Sequence, residues 1–135
     1  MATHIITLFA TKEKPTPLTI LDDEGHQSNT DGGDKNLTTT FNKGDTIIWK
    51  VDIYSDISSI DAITQLETRL GKIGVIAPIF KSKPSLMNNG TKNWSAELRK
   101  DISFDSLIVE YTITYTVNGK QHTQDPKLQI RKPSS

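Results

Sequence analysis

Ile108-Val-Glu-Tyr-Thr-Ile-Thr-Tyr-Thr-Val117, followed by Asn118-Gly119 and then by residues 120–130, decides the architecture of this chain. Val109, Tyr111, Ile113, Tyr115 and Val117 are apolar, and Glu110, Thr112, Thr114 and Thr116 alternate with them. A period of two over ten residues turns one face to a core and the other to water. Asn-Gly suits a type I′ turn, because both residues accept positive φ and the twist of that turn matches the strands it joins. The stretch therefore predicts an antiparallel hairpin on a half-buried sheet.

Composition carries the same signal through the rest of the 135 residues: 16 Ile, 17 Thr and 4 Val stand against 5 Ala. β-branched side chains lose rotamer freedom in a helix and pack well on a pleated surface. The length suits one domain with a core of its own, spanning 1–135. Sixteen basic and sixteen acidic residues cancel, and the basic ones are spread out. That distribution lacks the electrostatic footprint of a nucleic-acid binder. It also removes one barrier to self-association. With no cysteine, disulfides, thiolate nucleophiles and thiolate metal ligands are excluded. The first ten residues read as a strand rather than a leader, and no apolar run approaches the ~18 residues of a membrane span. The expectation is a soluble, cytoplasmic protein with neither nucleic-acid nor membrane partners.

Further strands are expected at 3–10, 18–21, 37–41, 45–51 and 92–99, with a short one at 73–76. Residues 12–17 hold two prolines, and 42–44 form a turn. In 45–51, Ile47, Trp49 and Val51 fall on one side, with Ile48 and Lys50 on the other. In 92–99, Trp94, Ala96 and Leu98 face inward. Residues 57–70 carry both patterns. Ile60, Ile63, Leu66 and Leu70 suit a helical face, while the β-branched content of 57–64 favours a strand. Residues 120–124 are polar on both faces and Pro126 cannot donate to a ladder, which marks an edge or bulged strand. Leu128 and Ile130 return inward after the expected bulge, and 132–135 form a frayed tail. Short strands separated by turn signals at such intervals argue a Greek-key sandwich.

Residues 22–36 form a long polar loop, of a length that is usually functional or mobile. Asp22, Asp23, Asp31 and Asp34, with Glu24, Asn29 and Asn36, offer hard oxygen ligands of the kind calcium takes, although the spacing is not that of an EF-hand. Solvation alone accounts for such a loop, and that is the favoured reading. A blue-copper site needs a cysteine and paired histidines, whereas here the histidines stand apart at 4, 26 and 122. Gly71-Lys72-Ile73-Gly74 lacks the α/β frame that a nucleic-acid clamp of that form requires. His122 near Asp125 could be drawn into a Ser-His-Asp triad, but a surface histidine on a polar edge arm is the ordinary explanation. Trp49 and Trp94 lie on apolar sides of their strands and read as core. Three sequons occur, at Asn36, Asn89 and Asn93; chance supplies one or two, and with no leader expected they say nothing of glycosylation.

Three motifs in order, Phe41-Asn-Lys-Gly-Asp-Thr-Ile-Ile-Trp49, Tyr111-Thr-Ile-Thr-Tyr115 and Asp125-Pro-Lys-Leu-Gln-Ile130, give a resemblance. The set resembles small bacterial cupredoxin-like sandwich proteins. More distantly it is similar to the bacterial inclusion-body protein family of the AidA and PixA type. That resemblance implies a cytoplasmic, non-catalytic sandwich, self-associating or sugar-binding, and it carries over no functional residue. The expected molecule is thus all-β: an antiparallel Greek-key β-sandwich, immunoglobulin-like or cupredoxin-like, without a metal centre or cofactor. Its expected role is a non-enzymatic binding or self-assembly module that associates with itself through edge strands. The alternative is a carbohydrate-binding, lectin-like module, calcium-assisted through the 22–36 loop, with Asp22, Asp23, Asp31 and Asp34 as ligand candidates.

Overall fold

The computed structural model describes residues 2–23, 25, 27–28, 38–65, 79–101 and 108–130. These hold ten strands: β1 (Thr3–Phe9), β2 (Thr19–Leu21), β3 (Thr38–Phe41), β4 (Thr46–Val51), β5 (Ile57–Gln65), β6 (Ser85–Leu86), β7 (Trp94–Glu97), β8 (Ile108–Val117), β9 (Lys120–Gln124) and β10 (Lys127–Ile130). There is no helix among the described residues, and so none long and apolar enough to cross a membrane. One sheet runs β2-β1-β4-β7-β6; the other runs β3-β10-β8-β5, with β9 also on β8. Neither closes into a barrel.

The sheets are mixed, which corrects the expectation of a purely antiparallel fold. β1 lies parallel to β4, with Ile6 beside Trp49, and β10 lies parallel to β3, with Leu128 beside Thr39. The periodicity of a strand tells which face is buried and nothing about the direction of its neighbour. Parallel partners need long crossovers. Here one crossover runs from β1 to β4 and the other spans most of the chain.

Both sheets contribute to one core. Ile6, Leu8, Ile20, Ile47, Trp49 and Ala96 come from the first, with Leu98 just past the end of β7, and Phe41, Ile57, Ile60, Ile63, Val109, Tyr111, Ile113, Tyr115, Val117 and Leu128 from the second. The inward positions expected of residues 45–51 and 108–117 are the buried ones. Between the layers the Trp49 indole Nε1 donates to the Tyr111 hydroxyl at 3.2 Å, and the two rings sit 5.8 Å apart. Trp94 is half-buried, beside exposed Leu86 on β6.

Asn118 and Gly119 both take positive φ, 51° and 77°, as the hairpin turn requires. The return arm differs from expectation. Gln124 pairs with Ile113 and Lys127 with Glu110, so the register is unbroken through Asp125-Pro126. No residue is inserted and there is no bulge. The Tyr111 N–H donates to the Pro126 carbonyl at 3.0 Å, and proline simply omits the return bond.

The irregular strand is β5. Its register against β8 shifts twice, between Ile57 and Ser59 and between Ile60 and Ala62. Each shift inserts a residue and moves the inward phase by one. Burial therefore recurs every third residue, at Ile57, Ile60 and Ile63. That spacing is what gave this segment its helical look, and the strand reading of it holds through Gln65. The expected strand at 73–76, the helical alternative at 66–70, the glycine pair at 71 and 74, and the tail at 132–135 lie outside the described residues.

Candidate functional site

The first candidate forms at the end of the sandwich where β1 and β4 begin. Gly44, at φ 86°, closes the 42–45 turn, and the Asp45 N–H donates to the Asn42 carbonyl at 3.2 Å. The tight turn points the Asp45 carboxylate inward, where it is 2% exposed. Its Oδ1 accepts from the Ala2 N–H at 3.0 Å and its Oδ2 from the Asn42 N–H at 2.9 Å. His4 Nε2 lies 2.8 Å from that same Oδ2. Burial alone would push the Asp45 carboxyl up. The Ala2 and Asn42 amides, then His4, outweigh it and hold the group below the usual carboxylate range.

On its other side His4 Nδ1 sits 3.2 Å from Asp23 Oδ2, and the Phe41 and His4 rings meet in a T-shaped contact with centroids 4.8 Å apart. Both ring nitrogens face carboxylates, so both contacts are hydrogen bonds at once only when each nitrogen carries a proton. Asp22, the neighbour in sequence, points the opposite way. It is buried and accepts from the Thr39 hydroxyl at 3.1 Å. Burial pushes the Tyr111 hydroxyl up; the Trp49 indole bond opposes this, and the charge of Asp22 adds to it.

Of the four acids singled out in the 22–36 loop, Asp22 and Asp23 are thus brought to one end of the core and committed to Thr39 and His4. Asp31 and Asp34 lie outside the described residues. Among the described residues no group of three or more acids and histidines is placed to hold a metal. His122 and Asp125 are not brought together. His122 stacks at a tilt on Tyr115, 5.7 Å between centroids, while the Asp125 carboxylate accepts from the Thr112 hydroxyl at 2.8 Å. Chemically, the His4 cluster is a clasp that ties β1, residue 23 and the 42–45 turn together.

The opposite end carries a different feature. Between β4 and β5, Ile53 is 82% exposed and Tyr54 80%, the two most exposed large apolar side chains described. The loop that carries them is pinned. The Tyr54 N–H donates to Asp52 Oδ1 at 2.8 Å, and the Ser55 N–H to the Asp52 carbonyl at 3.0 Å. The Asp56 N–H donates to the Ala10 carbonyl at 2.8 Å, and the Ala10 N–H to Ser55 Oγ at 3.1 Å. Asp56 Oδ2 in turn accepts from the Lys12 N–H.

A recess of ≈360 Å³ opens beside the pair, with Lys50, Asp52 and Ile53 on one wall and Gly90, Thr91 and Asn93 on the other. That second wall is also fixed: Asn93 Oδ1 accepts from the Val51 N–H at 3.0 Å, and Lys92 Nζ donates to the Ile57 carbonyl at 3.1 Å. Sequence reading missed Ile53 and Tyr54. The available signal was two large apolar residues between Asp52 and Ser55, in a connection whose turn chemistry calls for polar side chains.

These features define a two-layer, all-β domain with a polar clasp at one end and a rigid apolar tip at the other. The chain belongs to the family described as "Domain of unknown function (DUF8788)", whose model matches residues 5–123, from β1 into β9. Comparison with the curated proteins gives no match.

Proposed function

We propose that this domain is a non-enzymatic binding module that works by protein–protein contact, self-association foremost. One observation carries the reading: Ile53 and Tyr54 stand almost fully in water on a loop whose backbone is hydrogen-bonded in place. An exposed tyrosine on a preorganised loop supplies contact area at low entropic cost. Neutral net charge leaves little repulsion between copies.

The strand edges contribute less than the sequence suggests. β6 has two residues, and the two register shifts in β5 interrupt its outer side. β9 is the most regular edge left for strand addition among the described residues, and it is polar. A Greek-key layout of immunoglobulin-like or cupredoxin-like type and a bacterial cytoplasmic setting belong to the same proposal. The motifs Gly44-Asp45-Thr46 and Asp125-Pro126 support it. The lectin-like alternative has lost support at Asp22 and Asp23, whose carboxylates are already engaged; a glycan array with and without chelator tests what remains. Light scattering over a wide concentration range tests the main reading. A mass above one chain is expected, and a single-chain mass throughout counts against self-association.

A further inference from the structure

The tip combines three properties on one small surface. It has a protrusion, the Tyr54 ring, 80% exposed beside Ile53. It has a receptacle, the ≈360 Å³ recess that Ile53 helps to line. The recess is open to solvent and lined by polar side chains as well as Val51 and Ile53, and its volume exceeds the roughly 150 Å³ that a benzene-sized ring needs, so it has room for the amphipathic ring of a tyrosine. Finally, it carries both signs of charge: Lys50 and Lys92 line the recess together with Asp52. A patch of one sign repels its own copy, whereas a mixed patch can set lysine opposite aspartate across a two-fold axis.

The added Cβ of Gly90 would meet nothing within 4 Å, so the side opposite Ile53 is open for entry. Both walls are hydrogen-bonded in place, so neither side need order on contact. Two-fold symmetric contact between identical patches is the commonest form of self-association.

We infer that the 50–56 and 90–93 tip is the interface of a two-fold dimer of this chain, each Tyr54 seating in the recess of the other copy. This rests on the self-association reading above and assigns its surface. The patch is small beside interfaces of about 800 Å² per partner, so the dimer is weak and forms with rising concentration.

Sedimentation velocity over a wide concentration range, on wild type and three variants, tests it. Wild type rises with concentration and levels off at twice the chain mass. Tyr54→Ser, which removes an exposed ring and leaves the core untouched, weakens association at least tenfold. Lys50→Glu sets acids facing acids across the axis and also weakens it, most at low salt. Leu21→Ser, which alters an exposed side chain on the outer face of the first sheet, leaves it unchanged. Circular dichroism confirms that each variant is folded. Association unaffected by Tyr54→Ser and Lys50→Glu overturns this surface while leaving self-association standing. Growth past two chains overturns the two-fold arrangement, and a single-chain mass at every concentration overturns both.

Discussion

Asp45 shows how one side chain can join distant parts of a chain. Its carboxylate takes backbone N–H groups from Ala2 and Asn42 and faces His4, while its own carbonyl accepts from the Leu98 N–H at 2.8 Å. Asp45→Asn removes the charge and leaves one oxygen for these donors. The expected cost is about 2–3 kcal/mol, read from urea denaturation at neutral pH. Because the folded protein holds the Asp45 carboxyl below its ordinary value of 3.8, its contribution is complete above that value. It drains away as pH falls through the folded-state value. Wild type should therefore lose stability in acid more steeply than Asp45→Asn, and a shared pH profile would contradict this account. Trp49 is the matching residue in the core. Trp49→Phe keeps an aromatic ring, leaves the Tyr111 hydroxyl without its donor and opens a small void; about 2 kcal/mol is expected from the same titrations.

At the level of the strand, the β8–β9 hairpin could be read directly because alternation and turn chemistry agree. Gly119, at φ 77°, tests the turn: Gly119→Ala should cost about 1–2 kcal/mol in thermal or urea unfolding, because a Cβ is disfavoured at that φ. β5 was legible in part. Its content of Ile57, Ile60 and Ile63 favoured a strand, but inserted residues erase the period of two that names one. The acid on that strand explains how an insertion can be anchored. Burial would raise the Asp61 carboxyl, but hydroxyls from Ser59, at 2.6 Å, and Thr116, with the Gln121 amide, hold it below the usual range. The direction of β1 against β4 was not legible, since parallel pairing rests on tertiary crossovers that no local pattern encodes. Nor was the clasp at His4: Asp23 and Asp45 are nineteen and forty-one residues away from it, and only the fold brings them to one imidazole. The exposed tip escaped for a simpler reason, that hydrophobic reading searches for residues to bury.

Across the whole molecule, the two sheets close on a core whose polar atoms are few and specific. Tyr111 and Tyr115 are both buried, the latter with its hydroxyl donating to the Pro15 carbonyl at 2.6 Å. Burial pushes Tyr115 up to about 12, and it pushes Tyr111 up as well. The folded state thus keeps protons that the unfolded chain releases near the ordinary value of 10. Stability should be intact below pH 10 and decline as pH climbs toward the folded-state values, by up to about 1.4 kcal/mol per pH unit for each tyrosine. Denaturant midpoints between pH 9 and 11 measure it, and a flat profile would show that the two hydroxyls ionise freely in the fold. The pairing of β3 with β10 has another consequence. Thr38–Phe41 lies alongside Lys127–Ile130, and Phe41 is fully buried. During translation the ribosome must therefore deliver the chain through residue 130, more than eighty residues past β3, before β3 gains this neighbour. A nascent polypeptide stalled after Phe41 and before Lys127 carries an unmatched strand and a bare phenylalanine, and is a natural client for a chaperone.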